Sequence, residues 1–224
     1  MHTISVIIPA LNEEKNIKNC IESAKNLNPI EIIVVDGGSS DRTVEVAKNN
    51  GAIVIASQKG RGIQMNMGAS VSEGDVFLFL HADARLTDIG QMNTESLLNG
   101  CIGGFFRLSF DDNSISARLV EFFANMRARL LSLPYGDQAL FIRRDVFEDI
   151  GGFREYPFLE DIDIALRLRK IGRLRYINHN VVVSSRRIQK GYPLSPILIS
   201  LRNVMIALLF ILGASPCKLI RLYK

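Results

Sequence analysis

The sequence predicts an α/β protein whose mostly parallel sheet is covered by helices on both faces. In the N-terminal half, short apolar runs rich in β-branched residues alternate with amphipathic segments. Strands that are buried on both faces read as continuous apolar runs of this kind, and amphipathic helices connect such strands in parallel. The chain has 224 residues, of which 47% are hydrophobic, so it can bury one large core.

Each apolar run in this half is a predicted strand, and the runs are 4–10, 31–36, 52–57 and 75–83. The segments between them predict three helices. Asn12 is the candidate N-cap of the first helix, and Ser40 or Asp41 that of the second, because short polar side chains accept hydrogen bonds from the N–H groups of a first turn. Asn50 and Gly51 are expected to end the second helix.

Two further amphipathic helices are predicted over 115–133 and 160–172. Large apolar residues recur along the first at helical spacing, which is typical of a face that packs on a core. We interpret this face as core rather than as a cofactor-binding stripe; its residues are Ile115, Leu119, Phe122, Met126 and Leu130. No internal repeat occurs, and no linker is long enough to separate two domains.

The segment 193–224 differs in composition from the rest of the chain. Its longest uninterrupted apolar run, Val204 to Leu212, is far shorter than the ~20 residues that cross a bilayer. Arg202 and Asn203 precede this run. Three interpretations stay open: the segment lies in a membrane interface, packs on a partner subunit, or packs on its own domain.

The net charge of +4 is concentrated late in the sequence, because 164–190 contains eight basic residues and no acidic one. Such a cluster suits phosphate, nucleic acid or anionic lipid, or is a solvated basic face. The cysteines Cys20, Cys101 and Cys217 are odd in number and far apart, so neither a disulfide framework nor a zinc site is indicated. The first residues enter an apolar run directly, so we expect no secretory signal and a cytoplasmic protein.

Three of the predicted strands end in polar motifs: PALNEE, DGGSSD and HAD. In an open parallel sheet, ligands bind outside the carboxyl ends of the strands. Asp36 offers an acceptor for the N–H edge of a base or for a hydroxyl, and the two glycines after it allow close backbone approach; a tight turn is the alternative. Glu14 and Asp41 are also explained as helix caps. GxGxxG and GxxxxGK[ST] are missing, which argues against a dehydrogenase and a P-loop protein.

His81 and Asp83 flank Ala82 at the end of the fourth strand, so their side chains can face one site. Mg²⁺ or Mn²⁺ is commonly held by one or two carboxylates together with water and substrate phosphates, so the pair predicts a half-site for such a cation. A solvated strand end is the alternative. Glu160 and Asp161 stand where a loop enters a helix; the helix dipole favours acids there, and an exposed carboxylate can also act as a general base.

Five segments, taken in order, resemble the family 2 glycosyltransferases, which have the GT-A fold: IIPALNEE, VVDGGSSD, FLHADARL, GDQALFIRRDVFEDIGGF and FLEDIDIALR. The resemblance covers about 1–190, and it is nearest to small bacterial members of the arsenosugar-biosynthesis type. It implies one GT-A domain over 1–192, with a nucleotide-sugar half at 1–104 and an acceptor half at 105–192, followed by a C-terminal amphipathic helical appendage at 193–224.

The resemblance also implies roles for single residues. On the donor side, it implies contacts to the nucleoside, the base and the diphosphate by Pro9, Leu11, Glu13, Asp36 and Arg61. Asp83 stands at the last position of the family's DxD motif and would hold Mg²⁺ or Mn²⁺. His81 stands at the first position, which leaves the identity of the metal and the need for it open.

On the acceptor side, Asp161 of the ED motif, with Glu160 beside it, would take the proton from the acceptor hydroxyl. The transfer would then invert the anomeric carbon. Asp137 and Gln138 of GDQ would lie near the acceptor. Arg186 and Arg187 would bind a phosphate of the donor or an anionic acceptor, or they form a salt-bridged surface pair.

We therefore expect a metal-assisted inverting glycosyltransferase that uses a nucleoside diphosphate sugar, with UDP favoured. We expect no nucleic-acid partner, and we leave a homodimer, a lipid-linked acceptor and peripheral contact with the inner membrane surface open. One alternative is a nucleotidyltransferase of the same fold, which would need a basic, Gly-rich loop where PALNEE offers acids. The other is a catalytically silent membrane-associated binding protein, against which Asp36, Asp83 and Asp161 argue.

Overall fold

The computed structural model describes residues 2–87, 92–185 and 196–223. The strands are β1 (Ile4–Ala10), β2 (Glu31–Asp36), β3 (Ile53–Ala56), β4 (Val76–Phe79), β5 (Ala84–Leu86), β6 (Gly103–Phe110), β7 (Leu140–Arg143) and β8 (Leu174–Val183). The helices are α1 (Ile17–Lys25), α2 (Thr43–Asn49), α3 (Arg61–Val71), α4 (Thr94–Leu98), α5 (Ile115–Leu131), α6 (Arg144–Asp149), α7 (Glu160–Ile171), α8 (Pro196–Ile211) and α9 (Pro216–Tyr223), with a 3₁₀ turn at Gly136–Gln138.

All the strands lie in one sheet of order β3-β2-β1-β4-β7-β6-β8-β5. β3, β2, β1 and β4 are mutually parallel, and so are β6 and β8. β7 runs antiparallel to β4 and β6, and β5 runs antiparallel to β8. The chain winds outward from β1 to β3 and returns to the other side of β1 with β4, so the strand order switches direction between β1 and β4. Ligands bind at such a switch point, and PALNEE and HAD follow these two strands.

Both faces of the sheet are buried. Val6 and Ile8 of β1 belong to one apolar cluster, which includes Leu78 of β4. Ile7, between them, belongs to another cluster with Phe79. Because successive residues of a strand face opposite sides, the two clusters are cores on opposite faces. The predicted α/β sheet with cover on both faces is therefore confirmed.

α3 lies directly on β1 and β2 because Gly68 has no side chain. A Cβ atom there would overlap Cγ2 of Ile7 and lie 3.0 Å from Cγ2 of Val35. One turn earlier, buried Gln64 donates from Nε2 to the carbonyl oxygens of Ala10 (2.9 Å) and Val35 (2.7 Å). These carbonyls lie at or next to the carboxyl ends of β1 and β2, so the first turn of α3 is fixed at the ligand edge of the sheet.

The prediction that the large apolar face of α5 packs on the core is wrong. Ile115, Phe122 and Leu130 are 82%, 60% and 73% exposed, and Leu119 and Met126 are exposed too. The buried face consists mainly of small residues, which are Ala117, Ala124 and Ala128. Alanines let the helix approach β6 closely, so the small face packs inward and the large apolar face points outward.

The C-terminal helices pack on the domain near the start of α7. Ile206 and Ala207 of α8 and Leu219 of α9 form a buried cluster with Phe158 and Ile162. Packing on the own domain, one of the three open interpretations, therefore holds for one face of these helices. No helix in the described residues is both long and apolar enough to span a bilayer. Arg186, Arg187 and 193–195 lie outside the described residues, and the domain boundary at 192 stays a prediction.

The predicted cap Asn12 does not begin a helix, because α1 starts at Ile17 and Asn12 has a φ of 56°, in the left-handed region. Asp41 accepts hydrogen bonds from the backbone N and Oγ1 of Thr43, the first residue of α2. Asn50 follows the last residue of α2, as predicted.

We expect Gly68→Ala to lower the free energy of unfolding by about 1–2 kcal/mol. Overpacking a buried site costs about 1–3 kcal/mol, and the overlap with Ile7 places this cost at about 2–3 kcal/mol, of which helix propensity returns about 1 kcal/mol. Ser70→Ala, on the exposed side of the same helix, is the control and should change stability by less than about 0.5 kcal/mol. Urea unfolding measures both, and a Gly68→Ala variant as stable as the wild type would contradict the close packing of α3.

Candidate active site

Hydrogen bonds join the loops that follow β1 and β2. The backbone N of Asn12 donates to Oγ of Ser39 (2.9 Å), and Oδ1 of Asn12 accepts from the backbone N of Ser40 (2.8 Å). The backbone N of Glu13 donates to Oγ1 of Thr43 (2.7 Å). The PALNEE and DGGSSD motifs therefore form one polar wall at the carboxyl edge of the sheet.

Asp36 is buried at the end of β2, and its own loop orients it. Oδ2 accepts from the backbone N of Gly38 (3.0 Å) and of Ser39 (3.0 Å), an arrangement in which Gly38 takes a φ of 93°. A carboxylate has about four lone-pair positions, so acceptor capacity remains for a ligand. A tight turn and an available acceptor therefore coexist here.

A cavity of about 310 Å³ opens beyond the end of β4. Five of the predicted site residues line it, and these are Arg61, His81, Asp83, Asp137 and Asp161. From the core side, Sγ of Cys20 donates to the carbonyl oxygen of His81 (3.4 Å). Burial raises the pKa of Cys20 well above its usual value, and the charges of Asp83 and Glu13 add to this, so the thiol stays protonated as a donor.

The side chains of His81 and Asp161 both lie next to Gly136. Oδ2 of Asp161 accepts from the backbone N of Gly136 (2.7 Å), and Oδ1 accepts from the backbone N of Ile162 (2.8 Å). A Cβ atom on Gly136 would lie 2.8 Å from Nε2 of His81 and 3.5 Å from Oδ2 of Asp161. Any side chain at Gly136 would therefore displace the imidazole.

The carboxyl group of Asp137 has little contact with solvent. Its Oδ1 is inaccessible and has no hydrogen-bond partner among the described residues. Burial raises the pKa of Asp137 to about 6; Arg127 opposes this increase, and the charges of Asp161 and Asp83 add to it. The mutual repulsion of these carboxylates favours the binding of a cation or of hydroxyl donors in the cavity.

Glu160 is buried behind the cavity and pairs with Arg61, whose Nε lies 2.9 Å from its Oε1. Burial raises the pKa of Glu160 to about 7; adjacent Asp161 adds to this, and Arg61 opposes it. The Glu160 carboxyl therefore titrates near neutral pH. Because Arg61 begins α3 and also lines the cavity, this pair ties the donor-side loops to α7.

Two non-glycine residues with left-handed backbone flank the acids. Leu159, with a φ of 68°, precedes Glu160, and Ala139, with a φ of 48°, follows Gln138. Such conformations cost about 1–3 kcal/mol each and persist where the surroundings impose them. Both residues are buried, so packing holds the strained segments that carry Asp137 and Asp161.

The remaining predicted residues lie elsewhere. Pro9 is buried within β1, whereas Leu11 and Glu13 are partly accessible in the loop after it. Gln138 is fully buried, donates to the carbonyl oxygen of Phe106 (3.3 Å) and accepts from the backbone N of Tyr135 (3.3 Å). Gln138 therefore stabilises the 3₁₀ turn and does not line the cavity.

The cavity residues that the sequence did not predict include Arg127, Tyr135 and Arg202. The Arg127 guanidinium lies 3.4 Å from the centre of the Tyr135 ring, and its Nε donates to the carbonyl oxygen of Leu133 (3.1 Å). No local motif marks Arg127 or Arg202, because Arg127 lies on α5 and Arg202 on α8. Only the long-range packing of these helices brings them to the site.

The described residues contain no group of three or more His, Cys, Asp or Glu side chains that could hold a metal ion. Asp83 and His81 nevertheless line the same cavity. Mg²⁺ and Mn²⁺ often take one or two protein ligands and complete their coordination with water and substrate phosphates. This donor set therefore fits a cation that binds together with a diphosphate.

The sequence profile described as Glycosyl transferase family 2 matches residues 5–151. The glycosyltransferase AglE of Haloferax volcanii is 29% identical over 169 residues, which are 67% of this chain and 55% of that protein. The probable glycosyltransferase YdaM of Bacillus subtilis is 28% identical over 75% of this chain and 47% of its own length. The chain thus spans about half the length of these curated relatives.

Solved structures with the same fold confirm the predicted fold class. Glucosyl-3-phosphoglycerate synthase from Mycobacterium tuberculosis, in complex with Mn²⁺, UDP and phosphoglyceric acid, has a TM-score of 0.60 at 22% identity, over 96% of this chain and 80% of that one. S. aureus TarS 1-349 in complex with UDP has a TM-score of 0.60 at 17% identity, over 98% of this chain and 69% of that one.

We expect Glu160→Gln to be more stabilising at pH 8 than at pH 5, by on the order of 1–3 kcal/mol. The folded pKa of about 7 lies above the ordinary value of 4.5. The folded state therefore binds the proton more tightly, and the contribution of Glu160 to stability falls as the pH rises from 4.5 through 7. Urea unfolding at the two pH values measures the difference.

The control is Glu148→Gln, which removes a largely exposed carboxylate and measures the effect of losing one negative charge at each pH. A Glu160→Gln effect that is equal at the two pH values, or larger at pH 5, would contradict the raised pKa.

Proposed function

Because the chain belongs to glycosyl transferase family 2, we propose that it transfers a sugar from a nucleoside diphosphate sugar to an acceptor hydroxyl, with inversion at the anomeric carbon. The observation that carries the proposal is Asp161, which two backbone N–H groups hold in the cavity that His81 and Asp83 also line. The predicted family is confirmed; the glycosyltransferase activity is part of the proposal, and similarity to the glycosyltransferase AglE supports it. The arsenosugar-type subgroup stays a prediction.

The donor would lie along the edge formed by the PALNEE and DGGSSD loops. Asp36 and the partly accessible Leu11 and Glu13 would contact the nucleoside, and Arg61 would contact the diphosphate at the cavity. UDP is the favoured nucleotide. Support for this choice comes from the UDP complexes of glucosyl-3-phosphoglycerate synthase and TarS, which share the fold.

Asp83 and His81 would hold Mg²⁺ or Mn²⁺, which would neutralise the charge that develops on the leaving diphosphate. Mn²⁺ in glucosyl-3-phosphoglycerate synthase supports this choice. Arg61 would add positive charge from the chain itself. The imidazole in place of a first acid lowers the negative charge of this half-site.

Asp161 would act as the general base. The acceptor oxygen gives its proton to the Asp161 carboxylate and forms a bond to the anomeric carbon, while the bond from that carbon to the diphosphate oxygen breaks. The nucleoside diphosphate leaves with the electron pair, and a single displacement from the opposite face inverts the configuration. The backbone N–H groups of Gly136 and Ile162 orient the carboxylate for this step.

The acceptor would carry an apolar part next to its reacting hydroxyl. Beyond the acids, the cavity wall is largely apolar, with Val120, Phe123, Phe158, Val204 and Ile206. Apolar walls of this kind bind apolar groups, while a few polar residues orient the ligand. This lining supports a lipid-linked acceptor.

We expect Asp161→Asn to lower kcat by about 10²–10⁴-fold, because general base catalysis contributes about that much. The nucleotide should still raise the melting temperature of this variant, since Asn keeps the volume of Asp and can still accept one of the two backbone hydrogen bonds, from Gly136 or Ile162. Release of nucleoside diphosphate in the presence of an acceptor panel measures turnover. The control is Asp149→Asn, which changes an exposed carboxylate outside the cavity. Equal turnover in Asp161→Asn and wild type would refute the assignment of the base.

We expect UDP with Mn²⁺ to raise the melting temperature of the wild type by roughly 5–10 °C at ~100 times the dissociation constant. Asp83→Ala should lose the part of this increase that depends on Mn²⁺ and keep the smaller part due to UDP alone. Thermal unfolding with other nucleoside diphosphates tests the base. An Asp83→Ala variant that responds to Mn²⁺ like the wild type would place the metal elsewhere.

A further inference from the structure

The outward face of α5 carries a continuous apolar stripe, here called the α5 stripe. It consists of Ile115, Leu119, Phe122, Phe123, Met126 and Leu130, all exposed. At 100° per residue these side chains fall within one third of the helix circumference, opposite the buried alanines. No described segment covers the stripe, and an exposed patch of large apolar residues marks an interaction surface.

The stripe continues on α8 across the mouth of the cavity. Val204, Met205, Leu208 and Ile211 of α8 are exposed on the face away from buried Ile206. α5 and α8 are in contact, and Phe123 and Val204 both line the cavity. The two apolar faces therefore border the opening through which an acceptor would enter.

The charge of these helices is strongly positive. α5, α8 and α9 contain six basic residues, which are Arg118, Arg127, Arg129, Arg202, Lys218 and Arg221. Their one acid, Glu121, is buried and bound to Arg118 (3.0 Å). Two copies of this face would place like charges together, whereas an anionic surface would complement them.

A groove beside the α5 stripe has room for anionic headgroups. It has a volume of about 710 Å³ and combines three arginines, Arg107, Arg118 and Arg129, with Phe122, Met126 and Leu130 of the stripe. Apolar side chains next to arginines are the pattern of a helix that lies in the bilayer interface, with its apolar face among the acyl chains and its bases at the phosphates.

We propose that the face formed by α5 and α8 docks on an anionic lipid bilayer, with α5 in the plane of the interface and the cavity opening toward the lipid. The docking goes beyond sugar transfer and does not require it. It would present an acceptor hydroxyl at the membrane surface to Asp161.

The test is cosedimentation of the full chain with phosphatidylcholine vesicles that contain about 30% phosphatidylglycerol or none, without any donor. The wild type should bind the anionic vesicles, more weakly as salt rises. Leu119→Gln/Phe122→Gln/Met126→Gln should lower the partition coefficient about tenfold or more, because apolar area is lost from the interface. Ile30→Gln/Ile53→Gln/Val71→Gln removes exposed apolar residues from other elements and should bind like the wild type.

Thermal unfolding shows whether each variant is folded. If the stripe variant is not, Arg107→Gln/Arg129→Gln tests the groove and should bind about fivefold more weakly per charge removed. Equal binding by stripe and control variants, or no binding of the wild type, would overturn the proposal. A wild-type dimer that the stripe variant converts to monomer, with partition unchanged, would also overturn it and identify the face as a contact between copies.

Discussion

The hydrogen bond between the backbone N of Gly136 and Oδ2 of Asp161 (2.7 Å) joins the two segments on which the site depends. It connects the 3₁₀ turn after α5 to the first turn of α7, and the missing side chain of Gly136 leaves the space that the His81 imidazole fills. Gly136 thereby lies between the residues after β4 and the start of α7 and fixes their relative position. Strained Leu159 and Ala139 on either side show that the surrounding core imposes this arrangement.

The same arrangement gathers acids at the expense of stability. Asp83, Asp137 and Asp161 face one cavity, and Glu160 lies directly behind it. Burial and mutual repulsion raise the pKa of Asp137 to about 6 and that of Glu160 to about 7, although Arg127 and Arg61 oppose these shifts. A ligand that brings positive charge or hydroxyl donors relieves this repulsion, so the electrostatics that weaken the empty fold favour binding.

The sequence predicted the sheet and the ends of β1 and β2, because buried parallel strands have a strong local pattern and polar motifs interrupt it. The fourth strand, predicted over 75–83, ends earlier, at Phe79. The sequence did not predict the inward face of α5. Periodicity locates an apolar stripe but not the direction in which it points, and here Ala117, Ala124 and Ala128 allow the closer approach to the sheet. Arg127 and Arg202 were missed for a related reason, since only the packing of α5 and α8 brings them to the cavity. Gln138, adjacent to Asp137, points into the core because neighbouring residues of a tight turn diverge.

The central claim is that sugar transfer occurs in the cavity between the end of β4 and the start of α7. Anomalous diffraction from crystals soaked with UDP and Mn²⁺ tests it most directly. The account predicts one strong manganese peak within about 2.5 Å of a carboxylate oxygen of Asp83, with the diphosphate beside Arg61. Manganese and diphosphate bound together at another place, away from Asp83 and Asp161, would contradict it.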